Sequence, residues 1–500
     1  MEEKLAQLKT ILAEVSDLDS ASGLLSWDQQ TCMPPAAAQE RGHQLATLRT
    51  ISHIKFTSEQ VGGLLDDLAP YAGQLDPDSD DARLVKVVRR RYNKRTRVPA
   101  ELVSEIARAN SLANQAWQKA RANSDFAIFQ PELEHVIELR RRYSALFAPY
   151  DHPYDPLLDD FEPGMKTADV RAIFDALRPQ QVALIQAIAA RPQVDDTFLH
   201  QPFDEQKQWD FGVDVITRFG YDWQRGRQDR SPHPFTQGIG LDDARITTRF
   251  SSDFLNPALF GTLHEAGHAL YCLGVSPTLG RTTISNGASL AIHESQSRMW
   301  ENLVGRSLPF WEYFYPRLQQ TFPGQLDGVS LERFYKGINR VQPSLIRVEA
   351  DEATYNLHIM LRLEIEIALL EGSLAVKDLP DAWNSRMRDY LGLTPPNDAQ
   401  GVLQDIHWSI GLVGYFATYA LGNLVSAQLW ERIQRDLPGL YDGFRQGEFA
   451  ELLAWLRQHV HSHGAKFEPQ DLVQRITGAR IDPAPYMRYL TAKYSEIYGL

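Results

Sequence analysis

The residues best placed to do chemistry lie in Thr262-Leu-His-Glu-Ala-Gly-His-Ala-Leu-Tyr271, which contains the H-E-x-x-H arrangement His264-Glu265-Ala266-Gly267-His268. In a helix, four residues advance roughly 400°, so the two imidazoles fall within about 40° of each other and both can reach one metal ion. Glu265 projects from the adjoining face, where a carboxylate can take a proton from water without being a ligand. Hydrolytic zinc sites use three protein ligands and keep a position open, so a third ligand is expected downstream. Leu290-Ala-Ile-His-Glu-Ser-Gln-Ser297 offers two. Glu294 shares a helical face with Leu290 and Ser297, which turns it inward with a hydroxyl one turn on to orient it. His293 lies about 100° around the same helix and is the alternative ligand, or else a buried hydrogen-bonded histidine.

Further polar residues follow. Leu345-Ile-Arg-Val-Glu-Ala-Asp351 reads as the start of a long helix in which Arg347 and Asp351, spaced i, i+4, form a salt bridge by default. In a deep site, however, the arginine fork suits a carboxylate. His407, Tyr415 and Tyr419, in Gly401-Val-Leu-Gln-Asp-Ile-His-Trp408 and Gly414-Tyr-Phe-Ala-Thr-Tyr419, could donate hydrogen bonds to an oxyanion. Aromatics in a core helix usually just pack, so only one of the three is expected in the site.

The elements that must position these groups are partly written in the sequence. Asn256 suits an N-cap and Pro257 the first helical position, Leu259, Leu263 and Leu270 make an apolar stripe, and Gly274 offers a stop. The helix carrying Glu294 closes at Gly305. Pro232 to Gly240 followed by Arg245 to Phe250 alternates with period two around glycines, the pattern of a hairpin. It is the one convincing β element, and an extended edge beside a metal centre can pair with a peptide backbone.

The first 220 residues read as helices joined by short polar breaks. Leu5, Leu8, Leu12, Val15 and Leu18 mark the first, Pro34-Pro35 starts another, and Pro99 starts one running through Ala120. Asp76 to Asp81 is an acidic loop, and Asp155 to Gly164 is a breaker whose carboxylates lack metal-loop spacing. The basic runs Lys86 to Arg97 and Arg140 to Arg142 are expected to be solvated helix faces pairing with local acids. Ile406 to Trp430 has no formal charge but carries His407, Asn423, Gln428 and three glycines, without basic flanks. It reads as a buried core helix rather than a membrane span.

Composition narrows the class further. At 500 residues the chain can bury roughly three quarters of its unfolded surface, so core size is not limiting. A formal charge of -13 argues against a nucleic-acid or anionic-membrane partner. Cys32 and Cys272 cannot make a disulfide framework, and Cys272 falls on the helix of the metal motif. The N-terminus interleaves charges with its apolar residues where a signal peptide needs an unbroken core. A soluble, cytoplasmic protein is expected.

Several blocks in fixed order resemble one family, the thermostable-type metallocarboxypeptidases of peptidase family M32. They are Asp229-Arg-Ser-Pro-His-Pro-Phe235, Asp243-Ala-Arg-Ile-Thr247, the H-E-x-x-H block, His293-Glu-Ser-Gln-Ser-Arg298, Ile346-Arg-Val-Glu-Ala-Asp351 and Gly401-Val-Leu-Gln-Asp405. Trp27-Asp-Gln-Gln-Thr31 with Met33-Pro-Pro35 matches near the N-terminus, so the resemblance covers essentially the whole chain. It implies a mainly α, gluzincin-type fold with a deep groove and a small β region beside the metal helix. The chain would form a single peptidase domain, with a helical part to about residue 225 and a metal-site and groove part from about 226. It further implies a homodimer that removes single residues from the free C-termini of peptides.

By position, the resemblance makes His264, His268 and Glu294 the metal ligands, which decides against His293, and makes Glu265 the catalytic carboxylate. Arg347 becomes the clamp for the substrate's terminal carboxylate and Arg245 restricts the closed end of the groove, while His407, Tyr415 and Tyr419 stay as substrate-binding candidates from the residue reading, with the one that meets the oxyanion left open. One divalent metal per chain is expected, zinc first, with cobalt or manganese compatible. Cys32 and alanines 36 to 38 depart from the usual pattern without touching a catalytic assignment. Two rivals stand beside this reading. An oligopeptidase with the same centre would cleave amidated peptides, and a helical scaffold with an accidental motif would bind no stoichiometric metal.

Overall fold

The computed structural model describes residues 1–500. Helices make up most of the chain, and the β structure is one three-stranded sheet. The chain divides into two compact units, each assembled from three segments. The first comprises Met1–Thr96, Asp195–Ile338 and Leu429–Gly478, and the second Arg97–Val194, Asn339–Gln428 and Ala479–Leu500. Residue 225 lies inside the first unit.

In the first unit the helix Glu2–Thr31 buries Leu5, Leu8, Leu12 and Val15, the expected i, i+3, i+4 stripe. They pack in one cluster with Val61, Leu65, Leu68, Leu84 and Val88, each such side chain gaining roughly 1.5–3 kcal/mol from burial. Leu279 and Ile284, which follow the metal-motif helix, join the same cluster.

The sheet comprises β1 (Gly226–Arg230), β2 (Thr236–Gly240) and β3 (Asp243–Thr248), in the order β1-β3-β2. β2 and β3 form the expected antiparallel hairpin, with an irregularity between Gly238 and Gly240. β1 was not anticipated. Its sequence, Gly-Arg-Gln-Asp-Arg, has no apolar alternation, and it is held by parallel pairing to β3 rather than by a hydrophobic face. β3 is the central strand. Its Thr248 accepts a hydrogen bond from Thr262 of the motif helix at 3.1 Å, which ties the sheet to the helix.

That helix spans Asn256–Gly274 and stops where expected. Its start differs slightly: Leu255 is the N-cap, Asn256 is already helical, and no side chain caps the end. Glu294 lies on the helix Leu290–Arg298, N-capped by Ser289, and this helix continues as a π-helical segment, Met299–Val304, that closes at Gly305.

In the second unit no helix begins at Leu345. Arg347–Glu349 is a single 3-10 turn, and the long helix is Tyr355–Glu371. The reason is Asp351. Its carboxylate accepts the backbone N–H groups of Gln342, Ala353 and Thr354, a local pattern that competes with helix. The expected Arg347–Asp351 helical pair is therefore absent. The uncharged run 406–430 is also broken, into a 3-10 turn His407–Ile410 and the start of the helix Ala417–Asp436. Gly411 and Gly414 between them have φ of 74° and 99°, which side chains rarely adopt. The run is largely buried, and no helix is long and apolar enough to cross a membrane. Of the basic runs, Arg89 pairs with Asp66, Arg142 with Glu105 and Arg141 with Glu138 as expected, while Arg141 also donates to the backbone carbonyl of Leu369 and Arg91 to that of Thr283.

Candidate metal centre

His264 and His268 stand one turn apart on the motif helix, with ring centroids separated by 5.0 Å. Glu294 comes from the neighbouring helix, and its Oε2 lies 3.6 Å from Nε2 of each histidine. One ligand atom from each of the three residues lies within 4.8 Å of the others, so one cation could be held among them. The two helices must be close for this, and Gly267, inside the motif, allows it. A Cβ there would sit 2.7 Å from the carbonyl oxygen of Gln296 and from Cα of Ser297.

The groups behind the three residues fit the same purpose. Nδ1 of His264 is 2.8 Å from Oε2 of Glu301, on the π-helical segment, a carboxylate that favours the proton on that nitrogen and so turns Nε2 toward Glu294 as the ligand atom. Arg298 donates from Nε to Oε1 of Glu294 at 2.7 Å and from Nη1 to Oε2 of Glu301 at 3.2 Å. The Ser297 hydroxyl lies 2.8 Å from the backbone carbonyl of Glu294 and, on the expected face, 3.2 Å from its Oε2. Burial alone would raise the Glu301 carboxyl, but Arg298 and the bond to His264 hold it at about 2. Burial is likewise outweighed at Glu294, which Arg298 and the two imidazoles keep well below the usual carboxylate range. Glu294 and Glu301 share Arg298, and Arg306 lies 3.8 Å from Glu301, so both carboxylates stand ionised beside the imidazoles, a donor set of two nitrogens and one carboxylate that suits a divalent cation.

Glu265 is buried, and its Oε2 accepts the Thr236 hydroxyl at 2.6 Å. His293 is not part of the cluster of His264, His268 and Glu294, although its ring centroid lies 5.6 Å from that of His268. Its ring packs on Tyr271, with centroids 4.6 Å apart, and a Cβ at Gly287 would lie 2.5 Å from its Cδ2. Burial pushes it down to about 3, which keeps it neutral. Cys272 is on the motif helix as expected, its thiol pushed up to about 12 by burial. Arg245 of β3 is gripped by both oxygens of Asp243 at 2.8 Å and lies 4.6 Å over the ring of Trp27. Glu301 and Thr236 escaped the sequence reading, because a π-helical turn and a tertiary contact set their positions. Arg298 left a signal in its i, i+4 spacing from Glu294.

A second polar cluster belongs to the other unit and joins Arg347, His407, Tyr415 and Tyr419. Arg347 donates from Nε and Nη2 to Oδ1 of Asp405, at 3.0 and 2.8 Å, and from Nη1 to the Tyr355 hydroxyl at 2.9 Å. Arg362 takes the other oxygen of Asp405, at 2.7 Å from Nε. Arg347 also lies 5.0 Å over the ring of Tyr419, whose hydroxyl is 3.4 Å from Nε2 of His407. The rings of His407 and Tyr415 are 5.4 Å apart. Burial would raise Asp405, but Arg362 and Arg347 hold it well below the usual carboxylate range. His407 is pushed down to about 4 by burial and is neutral. Two buried guanidiniums thus share one carboxylate, which leaves one positive charge in excess.

Residues 7–494 match the family described as Carboxypeptidase Taq (M32) metallopeptidase. The chain belongs to this family. It is 42% identical to Thermostable carboxypeptidase 1 of Thermus thermophilus, over 97% of each chain, and 37% identical to Carboxypeptidase 1 of Bacillus subtilis, over 98% of each. Its fold superposes on the crystal structure of the M32 carboxypeptidase of Deinococcus radiodurans with a TM-score of 0.97, at 40% identity over all of both chains. The Pyrococcus furiosus carboxypeptidase gives 0.95 at 34% identity, over 99% of each chain. This M32 member is therefore a metallocarboxypeptidase, a peptide hydrolase of mainly helical fold that depends on a divalent metal and acts on peptides.

Proposed function

We propose that this M32 enzyme releases single amino acids from peptide C-termini at a centre held by His264, His268 and Glu294, with Glu265 moving the proton. One observation carries the ligand set: the three donor atoms converge within 4.8 Å while Glu301 favours the proton on Nδ1 of His264. Those three ligand residues would hold a divalent cation, which would supply polarisation of the scissile carbonyl and a lowered pKa for water; zinc suits two imidazoles and a carboxylate, and cobalt and manganese are compatible.

Glu265 accepts the proton of the attacking water and hands it to the leaving amine, a role its place beside the ligands without joining them supports. Arg347 binds the terminal carboxylate. Its support is the excess positive charge around Asp405, which an anion would balance, and guanidinium donors not used by Asp405 or Tyr355. His407, Tyr415 and Tyr419, packed beside Arg347, contact the substrate near that carboxylate. Arg245, held rigid by Asp243 and Trp27, limits the closed end of the groove. The protein works as a homodimer in the cytoplasm.

The test is Glu265→Gln. The variant should keep its metal while turnover falls by about 10²- to 10⁴-fold, because an amide cannot accept the proton. Near-normal turnover at full metal occupancy would remove Glu265 from the mechanism.

A further inference from the structure

The hydroxyl of Thr236 reaches Glu265 from the sheet. It lies 2.6 Å from Oε2 of the carboxylate and 2.9 Å from the backbone carbonyl oxygen of the same residue. A threonine hydroxyl has one proton, so it can serve only one of these acceptors at a time. The carboxylate is the nearer and the charged one, and the carbonyl, in mid-helix, is supplied by the helical ladder. The proton therefore belongs to Oε2.

Thr236 is itself held in place. It opens β2 opposite Ile246 of β3, and the preceding residue, Phe235, is clamped to Thr247 by three bonds. The Phe235 N–H donates to the Thr247 hydroxyl at 2.9 Å, the Thr247 N–H donates to the Phe235 carbonyl at 2.9 Å, and the Thr247 hydroxyl lies 3.2 Å from that carbonyl. Ser231 adds a further bond to the Thr247 hydroxyl at 2.7 Å. The donor that meets Glu265 thus stands on a strand with little freedom to move, while a glutamate side chain left alone would sample several rotamers.

From this geometry we infer that Thr236 is a positioning residue that divides the labour of the two Glu265 oxygens, holding Oε2 so that Oε1 is the atom that takes and returns the proton. The inference rests on the proposed role of Glu265 and adds to it. It also gives the sheet beside the motif helix a task in the chemistry.

Thr236→Val removes the hydroxyl, keeps the β-branched shape that a strand favours, and should fold. Its kcat should fall by about 10- to 100-fold, while KM, metal content and melting temperature stay near those of the parent. Thr236→Ser, which restores a hydroxyl on the same carbon, should recover most of the kcat. In a Glu265→Gln background, Thr236→Val should cause no further loss, since the group it positions is already disabled. An inactive Glu265→Gln enzyme beside a Thr236→Val enzyme of normal kcat would overturn the positioning role alone. The same holds if Ser fails to rescue, or if Val costs the same factor in both backgrounds. A Glu265→Gln enzyme with normal turnover would instead overturn the role of Glu265, and the inference would fall with it.

Discussion

Arg347 brings its charge into a setting with too few anions. It shares Asp405 with Arg362, both guanidiniums are buried, and the neighbouring His407 is neutral. An isolated buried charge is costly, and a substrate carboxylate would relieve it. Arg347→Ala should therefore lower catalytic efficiency on a peptide acid by about 10- to 100-fold, with charged hydrogen bonds worth roughly 1.5–3 kcal/mol. The corresponding amide, already a poor substrate, should lose little. Steady-state kinetics on one peptide in both forms checks this, and equal losses on acid and amide would make Arg347 structural. At this scale, the residues readable from sequence were those related by helical spacing: His264 and His268, and Glu294 with Ser297. The partner of Arg347 was misread because the nearest acid in sequence, Asp351, is engaged by backbone N–H groups. The true partner, Asp405, comes close only through the tertiary fold.

Among the elements, the motif helix and the hairpin were legible because each carries its own period. β1 and the π-helical segment were not, since one is polar and the other looks in sequence like a continuing α-helix. Glu366 shows how an element can be pinned by one side chain. It sits fully buried on the helix Tyr355–Glu371 and accepts bonds from the Tyr154 hydroxyl at 2.5 Å, Trp408 Nε1 at 2.8 Å and the Gly414 N–H at 3.0 Å. It thereby ties the broken 407–414 segment to that helix. Burial pushes its carboxyl up from 4.5 to about 7, against the three donors and Arg362. Between these two values the folded state keeps a proton that the unfolded state releases, so this group's contribution to stability is lost as pH rises through the window. Glu366→Gln cannot titrate. Relative to the parent, its unfolding free energy should gain up to about 3 kcal/mol between pH of about 4.5 and 7. Denaturant melts across that range read the change, and the fixed cost of the amide cancels. A difference that stays flat with pH would mean that Glu366 is ionised throughout.

For the molecule as a whole, the family blocks are scattered along the chain and the two compact units are interleaved, so composition shifts could not mark the unit boundaries. What did carry over was the order of the blocks, and with it a fold that superposes on M32 carboxypeptidases over essentially the full chain. The central claim is that the enzyme recognises a free C-terminal carboxylate and removes one residue at a time. The most direct test is timed mass spectrometry of one peptide, offered as the acid and as the C-terminal amide to the metal-loaded protein. The acid should shorten by successive single residues from its C-terminus while the amide persists over the same interval. Internal fragments, or an amide consumed as fast as the acid, would contradict the claim and mark the protein as an endopeptidase with the same metal centre.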